Sequence, residues 1–125
     1  MREYSFERLD VWKLSSEFSQ KVYQMTAGYP KDEKYGLTNQ LRRAAISIPN
    51  NLAEGSGRIS FKEKAHFTQI SYGSLMECLN LIIISKRLKF ISEQIYKELR
   101  EMIDIISIKL SSLRKYQLNS LTPNP

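Results

Sequence analysis

The stretch Tyr35–Arg58, YGLTNQLRRAAISIPNNLAEGSGR, decides the fold. Placed on a helix, Leu37, Leu41, Ala45, Ile48 and Leu52 recur at helical intervals and draw one apolar stripe along one side. Ser47, Asn51, Glu54 and Arg58 draw a polar stripe beside it. Pro49 offers no N–H to the Ala45 carbonyl and crowds it, so a helix running through this stretch is expected to bend there. Asn50 and Asn51 are expected to relieve the carbonyl groups that Pro49 frees. Small Ala44, Ala45 and Ala53 allow neighbouring helices to approach closely.

Outward from this stretch the helical period continues. Upstream, the pattern predicts a helix from about Arg8 to Ala27 with Val11, Leu14, Phe18, Val22 and Met25 inward, and with Glu17 and Lys21 paired on the solvent side. Gly28 is expected to end it in a left-handed conformation, with Pro30 unable to continue the helix. The second helix is predicted from Leu37 to about Gly55. Downstream, Ser60-Phe61-Lys62-Glu63 reads as a capping box for a helix from Phe61 to about Lys89. Its inward stripe is predicted as Phe61, Ala65, Tyr72, Leu75, Leu79, Ile82 and Ile83, with Gly73 and Ser74 as a close-packing point. Ser92 caps a fourth helix to about Gln117, with Ile95, Leu99, Ile103, Ile106, Leu110 and Leu113 inward and Glu93, Lys97, Arg100, Glu101 and Asp104 pairing along its solvent side. Met102, Ile105 and Ile108 add apolar surface outside that stripe and predict a self-association interface. Residues 118–125 read as a disordered tail beyond a single domain over 1–117. Four helices with short connections predict an all-α, antiparallel up-down-up-down four-helix bundle, with helix two bent at Pro49.

Composition narrows the function classes. A chain of 125 residues is one domain with a core of its own. The single cysteine, Cys78, forms no internal disulfide and reads as a buried small hydrophobe, in keeping with a reducing cytoplasm. The first residues mix charge with apolar side chains, unlike a secretory signal, and the longest apolar run, Leu81 to Ile84, is too short to span a bilayer, so no membrane partner is expected. Nineteen basic against thirteen acidic residues give a formal charge of +6, which favours a polyanionic partner and also aids solubility.

Catalytic and metal chemistry find little to work with. Glu63-Lys64-Ala65-His66 matches one half of a di-iron carboxylate motif, but His66 is the only histidine and Glu63 belongs to the capping box. No nucleophile elbow accompanies Cys78 or the serines, and Gly55-Ser56-Gly57 follows no strand and precedes no GK[ST]. The expectation is a non-enzyme without a cofactor. Glu54 and Glu77 lie on stripes beside apolar residues and are expected to be partly buried, joined with Asn51 and Arg58 in a structural polar network. The cations that could meet phosphates fall in clusters: Arg42 and Arg43; Arg58, Lys62 and Lys64; Lys86, Arg87 and Lys89; and Lys109, Arg114 and Lys115. Tyr4, Tyr29, Tyr35 and Tyr116 are candidates to stack on bases, with packing as their commoner use.

Three segments carry a family resemblance: Leu9-Asp10-Val11-Trp12, the Tyr35–Arg58 stretch, and Gly73-Ser74 followed by Glu77. Together they resemble the four-helix-bundle family of 23S rRNA intervening-sequence proteins, or S23 proteins, related to the accessory variability determinant of diversity-generating retroelements. The fourth helix matches only as an amphipathic pattern. The resemblance implies a homo-oligomer, typically a ring-shaped pentamer. The expected function is a basic homo-oligomeric bundle binding RNA or DNA through phosphates. The alternative is a protein-interaction scaffold recruiting a nucleic-acid enzyme such as a reverse transcriptase, as the retroelement relatives do.

Overall fold

The computed structural model describes residues 1–121. Four helices carry the chain: α1 (Asp10–Thr26), α2 (Leu37–Ser56), α3 (Phe61–Arg87) and α4 (Glu93–Asn119). Short 3₁₀ turns at Ser5–Arg8 and Lys31–Glu33 precede α1 and α2, and no strand occurs among the described residues. The helix starts follow from local chemistry. Ser60 Oγ accepts the Glu63 N–H at 3.1 Å and Ser92 Oγ accepts the Ile95 N–H at 3.2 Å, each satisfying an amide that the first turn leaves free. Glu33 does the same for α2, taking the Leu37 N–H at 3.2 Å.

The helix ends differ in part from expectation. Gly28 is not left-handed, since no glycine among the described residues has a positive φ; the turn closes through its N–H to the Met25 carbonyl at 3.2 Å. The left-handed position falls instead on Lys89, with φ of 64°. Its N–H reaches the Lys86 carbonyl and the Phe90 N–H reaches back to the Ser85 carbonyl, both at 2.9 Å, which closes α3 as a Schellman motif. The last helix runs to Asn119, so Leu118 and Asn119 are helical rather than tail, and the remainder of the expected tail from residue 122 lies outside the described residues.

Hydrogen bonds between helices show how they pair. Ser19 and Arg42 tie α1 to α2, Ser71 and Ser74 tie α3 to α2, and Thr68 and Arg114 tie α3 to α4. Between them lies a core in which Phe18, Leu41, Ile48, Leu75, Ile82, Leu99, Ile103, Ile106 and Leu110 are fully buried. Each such side chain contributes about 1.5–3 kcal/mol of apolar transfer. Among the described residues, α3 is the one helix long and apolar enough to cross a bilayer; here it packs against both α2 and α4.

Two packing details differ from the sequence reading: the donor that relieves Pro49 and the place of the close helix contact. Pro49 lies within α2, and the Ala45 carbonyl it leaves free is taken by Ser19 Oγ of α1 at 2.8 Å. Asn51 plays no part in that repair: its Nδ2 donates to the Ser47 carbonyl and hydroxyl, at 2.8 and 2.9 Å, while Asn50 is exposed. The close approach of α2 and α3 is at Gly55, where a Cβ would meet Phe67 Cβ at 2.9 Å, whereas Gly73 faces open space.

Candidate nucleic-acid interface

The eleven cations nominated from the sequence separate by what they already hold. Arg42 is committed inside the bundle: Nε donates to Thr26 Oγ1 at 2.8 Å, Nη2 donates to the Tyr23 carbonyl at 3.3 Å, and the guanidinium lies 4.7 Å from the Tyr23 ring centroid. It caps the C-terminal end of α1, where the helix dipole favours a cation. Lys64 likewise donates to the Ser56 carbonyl at the end of α2, at 3.1 Å. Lys109 pairs with Asp10 across α1 and α4, and Lys86 pairs with Glu93 beside the Tyr96 ring. Arg58 lies over the Phe67 ring, 4.0 Å from Glu54. Arg114 donates to Gln69 Oε1 at 3.0 Å. Arg43, Lys62, Arg87, Lys89 and Lys115 are exposed and make no ion pair among the described residues.

Of the expected polar network the Glu54–Arg58 pair is present, at 4.0 Å, while Asn51 and Glu77 make no bond to it among the described residues. Glu54 is exposed, with over half of its side chain in solvent, and its one ion pair among the described residues is with Arg58. Glu77 is also exposed and lies with Arg43 in the groove between α2 and α3, while Asn51 bonds Ser47 and through it Ser74. The polar stripe of α2 therefore serves different neighbours at different heights. The charge pairs expected along single helices are also replaced by pairs between helices: Lys21 takes Glu98 of α4 at 3.1 Å instead of Glu17, and holds the Glu98 carboxyl below its ordinary pKa.

The structure adds Lys31 and Lys34, which the sequence reading passed over, and removes Tyr29 from the residues that could stack on bases. Tyr29, buried in the α1–α2 connection, packs its ring 5.3 Å from Phe90 in the α3–α4 connection. That contact brings two loops, distant in sequence, to one end of the bundle. Exposed Lys31 and Lys34 thereby join exposed Arg87 and Lys89, and none of these four makes an ion pair among the described residues. Tyr35 is 85% exposed at the same end, with the Lys34 ammonium over its ring. Nearby, Glu93 is paired with Lys86, leaving Asp32 and Glu33, the latter accepting the Leu37 N–H, to oppose the cations.

Other chemistry has less to stand on. Cys78 is fully buried, and burial together with Glu77 pushes its thiol up to about 12, which holds it protonated at neutral pH. His66 is exposed next to Phe67, and no group of three or more His, Cys, Asp or Glu side chains converges among the described residues.

An all-helical bundle of four helices, with exposed cations collected where two connections meet, is the class of protein this geometry defines. Residues 7–112 match the family model described as 23S rRNA-intervening sequence protein, and the chain belongs to that family. A solved structure from Bacteroides thetaiotaomicron VPI-5482, described as a protein with unknown function from the S23 ribosomal protein family, shares the fold. Its TM-score is 0.76 at 19% sequence identity, covering 84% of this chain and 98% of that one. No curated protein matches the chain.

Proposed function

We propose that this protein is a non-enzymatic, homo-oligomeric helical bundle of the cytoplasm that binds RNA or DNA through backbone phosphates. The observation that supports this reading is the gathering of Lys31, Lys34, Arg87 and Lys89 beside exposed Tyr35 at one end of the bundle. Four exposed ammonium and guanidinium groups with no ion-pair partner among the described residues suit phosphate oxygens, and they carry no arrangement for reading base edges. A ring of copies, a pentamer by family resemblance, would repeat the patch about its axis and concentrate the positive potential.

The test is a fluorescence-anisotropy titration of a structured RNA and a matched DNA duplex at several salt concentrations. A variant carrying Lys31→Glu, Lys34→Glu, Arg87→Glu and Lys89→Glu is titrated beside the natural chain. Affinity that falls steeply with salt, and a salt slope shallower in the variant by about one unit per lost phosphate contact, is the expected result. Absence of binding at low salt overturns the reading. A second reading, a scaffold that recruits a nucleic-acid enzyme such as a reverse transcriptase, then takes first place, and apolar surface left exposed after the copies assemble would favour it.

A further inference from the structure

We propose that the groove between α3 and α4 is a binding site for a phosphorylated nucleoside. It lies beyond the loop-end patch in both place and chemistry, toward the C-terminal end of α4, and it does not depend on that patch. The groove encloses about 390 Å³, within the size range of small-molecule sites. The buried hydrogen bond from Thr68 Oγ1 to Gln117 Oε1, 2.8 Å long, holds the two helices together here. Arg114, Lys115, Tyr72, Gln69 and Asn119 line the groove, and no carboxylate does.

Each group has a use that the rest of the fold leaves unfilled. Arg114 lines the groove and donates Nη2 to Gln69 Oε1, and no carboxylate pairs with it among the described residues. Lys115, one residue on, is exposed and also without an ion pair. Two adjacent cations facing no carboxylate call for an anion. An anion alone would leave Tyr72 unexplained: the residue is 37% exposed, lines the groove and stacks on no other aromatic among the described residues. A free aromatic face suits a planar base, and the amides of Gln69 and Asn119 offer donors and acceptors to its edge. Phosphate on Arg114 and Lys115 with base on Tyr72 satisfies all of them at once.

The same chemistry is carried by a free mononucleotide and by a nucleotide unit of a single strand, and one experiment separates them. AMP, adenosine and inorganic phosphate are titrated calorimetrically into the full chain, and a ten-nucleotide single-stranded RNA is titrated by anisotropy with and without AMP. AMP is expected to bind at least tenfold more tightly than adenosine or phosphate alone. Tyr72→Leu and Arg114→Gln are each expected to weaken binding about tenfold, while Tyr72→Phe retains it. RNA displaced by AMP, and lost in the same variants, identifies a strand as the source; AMP binding that the RNA does not contest identifies a free nucleotide. Both titrations unchanged by Tyr72→Leu, or no binding of either probe, overturn the proposal. The loop-end variant leaves AMP binding intact, so failure of the phosphate patch and failure of the groove read out separately. Tyr72 is a surface side chain, so its leucine variant carries the test even if Arg114→Gln perturbs folding.

Discussion

Ser19 shows how a single hydroxyl accommodates a proline in a core helix. Without it, the Ala45 carbonyl would be buried and unpaired, because Pro49 has no N–H to donate and Ala45 itself is fully buried. Leaving such a group unsatisfied costs about 1–3 kcal/mol, more than the net value of an ordinary hydrogen bond. Ser19→Ala is therefore expected to lower unfolding stability by about that amount in urea denaturation. Asn51→Ala removes bonds on a half-buried surface that water can replace, and should cost less. Equal losses would show that the Ala45 carbonyl finds another donor. The sequence exposed the problem at Pro49 but not its solution, since the donor comes from α1 and nothing local to Ser19 marks it. Glu54 failed for a related reason: its stripe lies beside the core, and a solvent-facing rotamer takes the charge out to water.

At the scale of elements, what the sequence made legible depended on what filled the core. In α2 and α4 the buried positions are aliphatic at Leu41, Ile48, Leu52, Leu99, Ile103, Ile106 and Leu110, and periodicity located both stripes except at Ile95, which lies 37% exposed near the start of α4. In α3 the inward positions include Thr68, Ser71, Cys78 and Ser85, so a search for apolar periodicity drifted one position onto Tyr72 and Leu79. Those hydroxyls are tolerated because each has an acceptor: Ser71 donates to the Ile48 carbonyl at 2.9 Å and Ser85 to the Leu81 carbonyl at 2.8 Å. The same drift misplaced the close contact. Gly55→Ala should destabilise by about 1–3 kcal/mol, because the new methyl meets Phe67 near the α3 backbone and outweighs the helix propensity gained. Gly73→Ala, in open space on an exposed helix, should stabilise by about 0.5–1 kcal/mol. Thermal melts of the two variants moving in opposite directions would check the α2–α3 packing; a stabilised Gly55→Ala would mean the helices stand further apart.

Over the whole molecule, Arg87 and Lys89 of the candidate site were legible as one cluster along the chain, whereas Lys31 and Lys34 were not. The Tyr29–Phe90 contact that brings Lys31 and Lys34 to Arg87 and Lys89 joins loops far apart in sequence, so no local pattern could announce it. Self-association depends on a similarly global property, the apolar surface left after the core is complete. The inward side of α4 is occupied by Leu99, Ile103, Ile106 and Leu110. Ile105 and Ile108 remain 48% and 67% exposed, with Met102 half-buried beside them. Two isoleucines on a central, otherwise polar helix face lower solubility without stabilising the single bundle, which is what an interface between copies would reverse. Ile105→Lys combined with Ile108→Lys adds like charges to that face and touches none of the fully buried core. Circular dichroism should therefore retain its helical amplitude, while light scattering should report the mass of the single chain, 14.6 kDa, in place of an oligomer. Retained helix with an unchanged oligomeric mass would move the interface off this face of α4. Loss of helix together with loss of mass would mean instead that the bundle requires its neighbours to fold.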